Sequence, residues 1–157
     1  MTNSTPEERI AELGIALPTP GPAGGIYKSV VISGNHAYVS GTVSLDGDGN
    51  PIKGRAGDDL TTEQAKEAAR MVAIHMISKL KIALGELSRV ERLVKTLGMV
   101  NCTPDFGEQP LVINGYSEVM RDVFGEDKGI GARSAVGMML PFNFAVEIEA
   151  IFELKPE

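Results

Sequence analysis

Apolar residues recur along this chain with two periods, one typical of helices and one typical of strands. The clearest helical stripe begins at Ala65 and continues with apolar side chains three or four positions apart, which is the spacing of one helix face. Thr61 followed by Gln64 forms a capping-box pattern at its start, and Gly85 stands at its end. The pattern predicts a long helix from Thr61 to about Leu84.

Two further segments have helical character. A short pattern covers Pro6 to Leu13, and the Pro- and Gly-rich stretch Leu17–Gly25 that follows it cannot be helical. The segment QPLVINGYSEVMRDVFG predicts a second amphipathic helix that ends at Gly125. We expect residues 1–17 to form a helical extension and residues 18–157 to form a single domain.

Segments rich in β-branched residues predict five strands. IYKSVVISG and HAYVSGTVS meet at Gly34-Asn35, a hairpin signal. RVERLVKTLGMVNCT is the third strand, and the last two lie on either side of a Pro-Phe-Asn turn in IGARSAVGMMLPFNFAVEIEAIFELK. The order β-β-α-β-α-β-β needs one sheet face for its helices, which predicts a two-layer α+β sandwich.

Alternation within the second and fifth strands predicts two unlike sheet faces. In the second strand, Tyr38, Ser40, Thr42 and Ser44 are expected on the face away from the helices. In the fifth strand, alternate residues are apolar and are expected to face the helices. These are Val146, Ile148, Ala150, Phe152 and Leu154.

The fourth strand and the remaining glutamates complete this expected second face. Val136 and Met138 are expected to face the helices, and Arg133, Ala135 and Gly137 the opposite side. Glu147 and Glu153 are expected to be solvated strand residues. Such a face, with its small and polar residues, can be wet or covered by another subunit, and the pattern alone leaves both open.

Charge and composition exclude several classes of function. The formal net charge of −6 argues against binding the phosphate backbone of nucleic acid, which needs a basic footprint. His36 and His75 are the only histidines and neither pairs with a cysteine at ligand spacing, so we expect no metal site. No apolar run approaches the roughly 18 residues that span a membrane. We expect neither a nucleic-acid nor a membrane partner.

The single cysteine and the amino-terminal sequence bear on the compartment. Cys102 alone rules out an internal disulfide framework and fits a reducing environment. The stretch MTNSTPEERIAELGIALP is acidic and has no apolar signal core, so it does not indicate export. We expect a cytoplasmic protein.

Three stretches of the sequence carry a family likeness: GGIYKSVVISGNHAYVSG, LVINGYSEVMRDVFG and ARSAVGMMLPFNFAVEIEAIF. They resemble the YjgF/RidA family, also called endoribonuclease L-PSP homologues, in an arm-extended form. The likeness runs from about Pro18 to Leu154. It implies a chorismate-mutase-like α+β sandwich, assembled as a homotrimer whose sheets form a central barrel, with ligand clefts between subunits.

The resemblance also implies roles for particular residues. The family's carboxylate-binding arginine falls on Arg133, after a longer loop, and its water-holding glutamate falls on Glu149. A guanidinium binds a carboxylate through two parallel hydrogen bonds, and a glutamate can orient water and move protons. The other residues that the resemblance places in the cleft are Tyr27, Ser40, Asn114 and Ala135, the last acting through its backbone carbonyl.

Three functions compete at this point. The enzymatic branch of the family hydrolyses reactive enamines and imines, made from serine or threonine by pyridoxal-phosphate enzymes, to 2-keto acids and ammonia without any cofactor. The alternative is a non-catalytic protein that binds or senses a small carboxylate in the same cleft. The endoribonuclease activity of the family label is less favoured, because the chain is acidic and lacks a basic, aromatic-rich stripe.

Overall fold

The computed structural model describes residues 4–157 and shows one five-stranded sheet whose buried face packs against the helices. In chain order the elements are α1 (Pro6–Glu12), β1 (Val30–Ser33), β2 (His36–Val43), α2 (Thr62–Leu84), β3 (Val90–Asn101), α3 (Gln109–Phe124), α4 (Glu126–Gly129), β4 (Ala132–Met138) and β5 (Val146–Leu154). The predicted α+β class and the order β-β-α-β-α-β-β are confirmed; α4 lies in the predicted loop before Arg133.

The sheet is mixed and has the strand order β1-β2-β5-β3-β4. The predicted hairpin joins β1 to β2, with Ser33 opposite His36. The predicted Pro-Phe-Asn turn (Pro141–Asn143) links β4 to β5, but these strands are not neighbours. β5 enters between β2 and β3 as an antiparallel strand, and β4 pairs in parallel with β3. β4 therefore forms one edge of the sheet.

Helix α2 begins and ends where the sequence predicts. The Thr61 hydroxyl accepts a hydrogen bond from the Gln64 backbone N–H at 3.1 Å, and the Gln64 side chain accepts one from the Thr61 N–H at 2.9 Å. These bonds satisfy backbone donors that a helix start leaves unpaired. Gly85 closes the helix with a φ of 82°, which a residue without a Cβ adopts freely.

Helix α1 is attached to the rest of the described chain. Its Ile10 side chain is buried, and the Glu7 carboxylate accepts a hydrogen bond of 2.6 Å from the Leu87 backbone N–H. The Arg9 guanidinium lies 3.5 Å from the Val123 carbonyl near the end of α3. The chain between α1 and β1 has no regular structure, as predicted for the Pro- and Gly-rich stretch Leu17–Gly25. The first strand begins at Val30, later than predicted, because residues 26–29 lie outside the sheet.

A β-bulge changes which residues of β2 face the helices. Between Val39 and Thr42 the register with β5 shifts, so that β2 contains one residue more than its partner. Thr42 and Ser44 consequently turn towards the helices, where both are buried. The prediction that they lie on the opposite face with Tyr38 and Ser40 is wrong, because strict alternation fails across a bulge.

The predicted orientation of β4 is also wrong. The Arg133 side chain contacts helix α3, and Ala135 packs against the buried core. A Cβ at Gly137 would lie 2.5 Å from the Cys102 sulfur. Val136 and Met138, expected against the helices, are instead 37% and 38% exposed on the second face of the sheet.

Close backbone approaches explain why β4 turns small residues towards the helices. A Cβ at Gly115 of α3 would lie 2.1 Å from the Lys66 carbonyl oxygen of α2, and one at Gly98 of β3 would lie 2.6 Å from Ile113. Helix α3 therefore lies unusually near both α2 and the sheet. Beside α3 the helix-facing side of β4 therefore accommodates the small residues Ala135 and Gly137, whereas larger side chains at these two positions would have less room.

Candidate functional site

The predicted site residues fall into two groups, and the first lies between α3 and β4. Here Arg133 and Asn114 line a cleft of about 350 Å³. Ala135 follows Arg133 on the same side of β4 and is partly buried. A Cβ at Gly131 would lie 2.6 Å from the Leu93 carbonyl oxygen, so the glycine lets the chain enter β4 tightly against β3. This approach fixes the position of Arg133.

Two hydrogen bonds hold the Arg133 guanidinium. Its Nη1 donates to the Ser117 hydroxyl at 3.0 Å, and its Nη2 donates to the Pro110 carbonyl at 3.1 Å. A guanidinium carries five N–H donors, so others remain for a ligand in the cleft. Ser117 was not among the site residues predicted from the sequence. The available signal was its position three residues after Asn114, which places both side chains on one face of α3.

The second group lies on the other face of the sheet. Tyr27, Ser40 and Glu149 line a cleft of about 430 Å³ together with Glu147 and Gly41. The Ser40 hydroxyl donates a hydrogen bond of 2.6 Å to the Lys28 carbonyl, and the Tyr27 hydroxyl accepts one of 3.3 Å from the Gly24 N–H. The first bond ties the segment that precedes β1 to the bulge in β2, and the second lies within that segment.

Within one chain, the two groups of predicted site residues do not form a single pocket. Arg133 stands opposite Thr96 in the β3–β4 pairing, and Thr96 is buried on the helix side. Glu149 stands opposite the next residue, Leu97, in the β3–β5 pairing, and Leu97 lines the cleft on the second face. The sheet therefore separates the arginine from the glutamate within one chain.

Glu147 is half-buried in the second cleft, so its prediction as a solvated residue is wrong. Burial raises the pKa of the Glu147 carboxyl, and the nearby Glu149 charge raises it further, while the Lys79 charge opposes both. Lys79 itself extends from α2 and donates a hydrogen bond of 3.1 Å to the Thr42 hydroxyl. Burial lowers the pKa of this lysine, and the Glu147 charge partly offsets that effect.

The second face of the sheet carries more apolar surface than the sequence predicts. Val136 and Met138 of β4 join Tyr38 of β2 and Val31 of β1, and each of the four is more than a third exposed. Leu97 lies between them and lines two adjoining clefts. Contiguous apolar surface of this kind is typical of a contact with another molecule.

Neither a metal-binding cluster nor a membrane-spanning helix is found in the described part of the chain. Among residues 4–157, no three His, Cys, Asp or Glu side chains are grouped so that they could hold a metal ion. In the same residues, no helix has both the length and the apolar character needed to cross a membrane. Cys102 is free and buried.

Comparison with known proteins gives consistent matches over nearly the whole chain. Residues 7–151 match the family described as "YjgF/chorismate_mutase-like, putative endoribonuclease". Protein TCP17 of Trypanosoma cruzi is 42% identical over 146 residues, which is 92% of this chain and 91% of that protein.

Two solved structures have the same fold over almost their full length. The Agrobacterium tumefaciens protein Atu1372, of unknown function, has a TM-score of 0.86 and 42% identity, covering 96% of this chain and 94% of its own. A Shewanella oneidensis MR-1 protein described as a "putative endoribonuclease" has a TM-score of 0.89 and 29% identity, covering 96% and 100%.

Proposed function

Because this chain belongs to the YjgF/chorismate mutase-like family, we propose that it hydrolyses small reactive 2-imino acids and their enamine tautomers to 2-keto acids and ammonia. The observation that carries the proposal is the Arg133 guanidinium, which two hydrogen bonds hold at the side of an open cleft with further donors unused. This arrangement suits a carboxylate that must be gripped in a fixed orientation.

We further propose that the reaction takes place between subunits of a homotrimer. Arg133 and Glu149 lie on opposite sides of one sheet, so a shared site needs the arginine of one copy and the glutamate of the next. The apolar second face and the edge strand β4 give a surface that such copies could bury. A ring of three closes these head-to-tail contacts by symmetry.

The proposed hydrolysis requires only a few protein groups. Arg133 would hold the substrate carboxylate, with Asn114 beside it in the same cleft. A water held by Glu149 would attack the imine carbon, which is already electrophilic, and the nitrogen would leave as ammonia. Tyr27 and Ser40 would form the wall of the cleft around the water. These steps need only proton transfers and orientation, which are the usual contributions of positioned carboxylates and arginines.

A coupled assay tests this proposal directly. A serine/threonine dehydratase would generate the imine, and the decay of its absorbance would be timed with and without this protein. We expect faster decay with the parent chain and with the control variant Arg92→Ala. Arg92 pairs loosely with Glu153 and lies away from the cleft that contains Arg133. We expect Arg133→Ala to accelerate the decay about ten- to a hundredfold less than the parent chain does.

Other outcomes of the same experiment identify the rival functions. A parent chain that leaves the decay unchanged but binds pyruvate or 2-oxobutanoate in calorimetry is a binding protein. Cleavage of added single-stranded RNA, with no effect on the imine, would support the endoribonuclease label instead. Either result would contradict the proposed hydrolysis.

A further inference from the structure

A second carboxylic acid lies beside Glu149 in the cleft on the second sheet face. Glu147 and Glu149 are two residues apart on β5, so their side chains point the same way. Both line the cleft that also contains Tyr27 and Ser40. Glu147 is half-buried, whereas Glu149 is exposed. Two carboxyls in one cleft with different surroundings are the usual arrangement for separate acid and base roles.

The bulge in β2 creates the space that Glu147 occupies. A Cβ at Gly41 would lie 3.1 Å from both the Glu147 Cδ and its Oε1. That distance is shorter than an ordinary van der Waals contact between such atoms. Gly41 therefore lets the carboxyl lie flat against β2, and a larger residue there would push it out of place. The position of Glu147 is built into the strand geometry.

Burial and the Glu149 charge raise the pKa of the Glu147 carboxyl, so it stays protonated to a higher pH than usual. Glu149 lies on the same strand, and its negative charge opposes ionisation of Glu147, as burial also does. Lys79 approaches from α2 and acts in the other direction. Lys95 of β3 lines the adjoining cleft with Glu149, and the Tyr27 phenol faces the same cleft.

We propose that Glu147 is a further catalytic residue, the acid that protonates the substrate nitrogen while Glu149 takes a proton from water. The inference rests on the proposed hydrolase function. Its geometric basis is the shared cleft, the half-buried carboxyl and the glycine that accommodates it.

The proton transfers balance over one turnover. In the first step the water oxygen bonds to the imine carbon, Glu149 takes one water proton, and Glu147 gives its proton to the nitrogen. The resulting carbinolamine carries one hydroxyl and one amino group. In the second step Glu149 returns its proton to the nitrogen, the carbon–nitrogen bond breaks, and the hydroxyl proton passes to Glu147. Ammonia and the 2-keto acid leave, and both carboxyls regain their starting states.

The test compares Glu147→Gln with the matched control Glu153→Gln. Glu153 lies on the same face of β5 but pairs with Arg92 and Asn35 at the other end of the strand. We expect Glu147→Gln to lower kcat by about a hundredfold, the scale of lost acid catalysis, with unchanged affinity for 2-oxobutanoate in calorimetry. We expect Glu153→Gln to keep the parent kcat, and circular dichroism should show both variants folded.

A pH profile separates proton donation from a merely structural role. Activity that needs protonated Glu147 should fall on the alkaline side as that carboxyl ionises. Lys79→Met removes the cation that favours the ionised form, so the alkaline limb should move to higher pH. A limb that stays in place, or a Glu147→Gln kcat equal to that of Glu153→Gln in an active parent, would overturn this role alone. A parent without imine hydrolysis would overturn the proposed function as well.

Discussion

Removing the contact between Lys79 and Thr42 tests whether the bulge in β2 turns Thr42 towards helix α2. The lysine ammonium reaches from α2 to the buried Thr42 hydroxyl at 3.1 Å, and that hydroxyl donates to the Ser40 carbonyl at 3.2 Å. Thr42→Val keeps the side-chain shape but removes the acceptor. Without the bulge, residue 42 would face away from α2 and the substitution would not affect Lys79.

The cost follows from the loss of an acceptor for a partly buried charge. Hydrogen bonds to charged groups contribute about 1.5–3 kcal/mol when buried. Lys79 is only partly buried, and water can replace part of the bond, so we expect Thr42→Val to lower the free energy of unfolding by about 1–2 kcal/mol. For a chain of this size that corresponds to a fall in Tm of roughly 2–8 °C.

A double-mutant cycle by urea unfolding isolates this interaction. In a Lys79→Met background the ammonium is gone, so Thr42→Val should cost at least about 1 kcal/mol less than in the parent.

The pH dependence of stability gives a second check on the environment of Lys79. Burial holds the folded-state pKa of Lys79 below its ordinary value, so the unfolded chain binds more protons. Parent stability therefore rises with pH between the folded-state and unfolded-state pKa values of this lysine. Lys79→Met should lack this rise with pH. Equal costs of Thr42→Val in both backgrounds would show that Lys79 and Thr42 do not interact.

Further predictions concern the cleft and the assembly. Arg133→Ala should reduce kcat/KM about ten- to a hundredfold, from a lost charge-assisted bidentate contact. Glu149→Gln should instead spare keto-acid binding in calorimetry and lower turnover about a hundredfold; the same loss of affinity in both variants would contradict these roles. Ser117→Ala removes one of the two bonds that hold Arg133 and should raise KM about three- to tenfold; an unchanged KM would show that this bond is dispensable. Light scattering of the parent should give about three times the chain mass of 16.7 kDa. Val136→Asp should remain folded but form assemblies of lower mass, and a monomeric parent would rule out the assembly.

The helices could be predicted from the sequence because periodicity and end signals agree. The apolar stripe of α2 lies between the Thr61–Gln64 capping box and Gly85, and the structure places both ends there. The two-layer arrangement followed from the order of the elements. Each of these signals is local, so one sequence contains all of it.

The orientation of two strands could not be predicted, for two different physical reasons. In β2 the extra residue lies among Ser40 and Gly41, whose small side chains give no apolar alternation to reveal a bulge. In β4 the apolar residues Val136 and Met138 lie on the exposed face. A strand whose outer face is also apolar gives no binary signal of which side meets the helices.

The candidate site was only partly accessible from sequence. Arg133 and Glu149 were identified through a family likeness, and the structure places each in a cleft, on opposite sides of the sheet. Glu147 and Ser117 were not identified, because their importance depends on burial and on a contact between α3 and β4. Neither property appears as a spacing along the chain.

Subunit mixing tests most directly whether Arg133 of one copy works with Glu149 of the next. Arg133→Ala and Glu149→Gln chains would each be purified, unfolded together in equal amounts, refolded, and assayed for imine hydrolysis against the separately refolded variants. In a ring of randomly mixed chains, about a quarter of the sites combine an intact arginine with an intact glutamate. The mixture should therefore recover about a quarter of the parent activity. No recovery beyond the two variants alone, in refolded oligomers of a parent that is itself active, would contradict it.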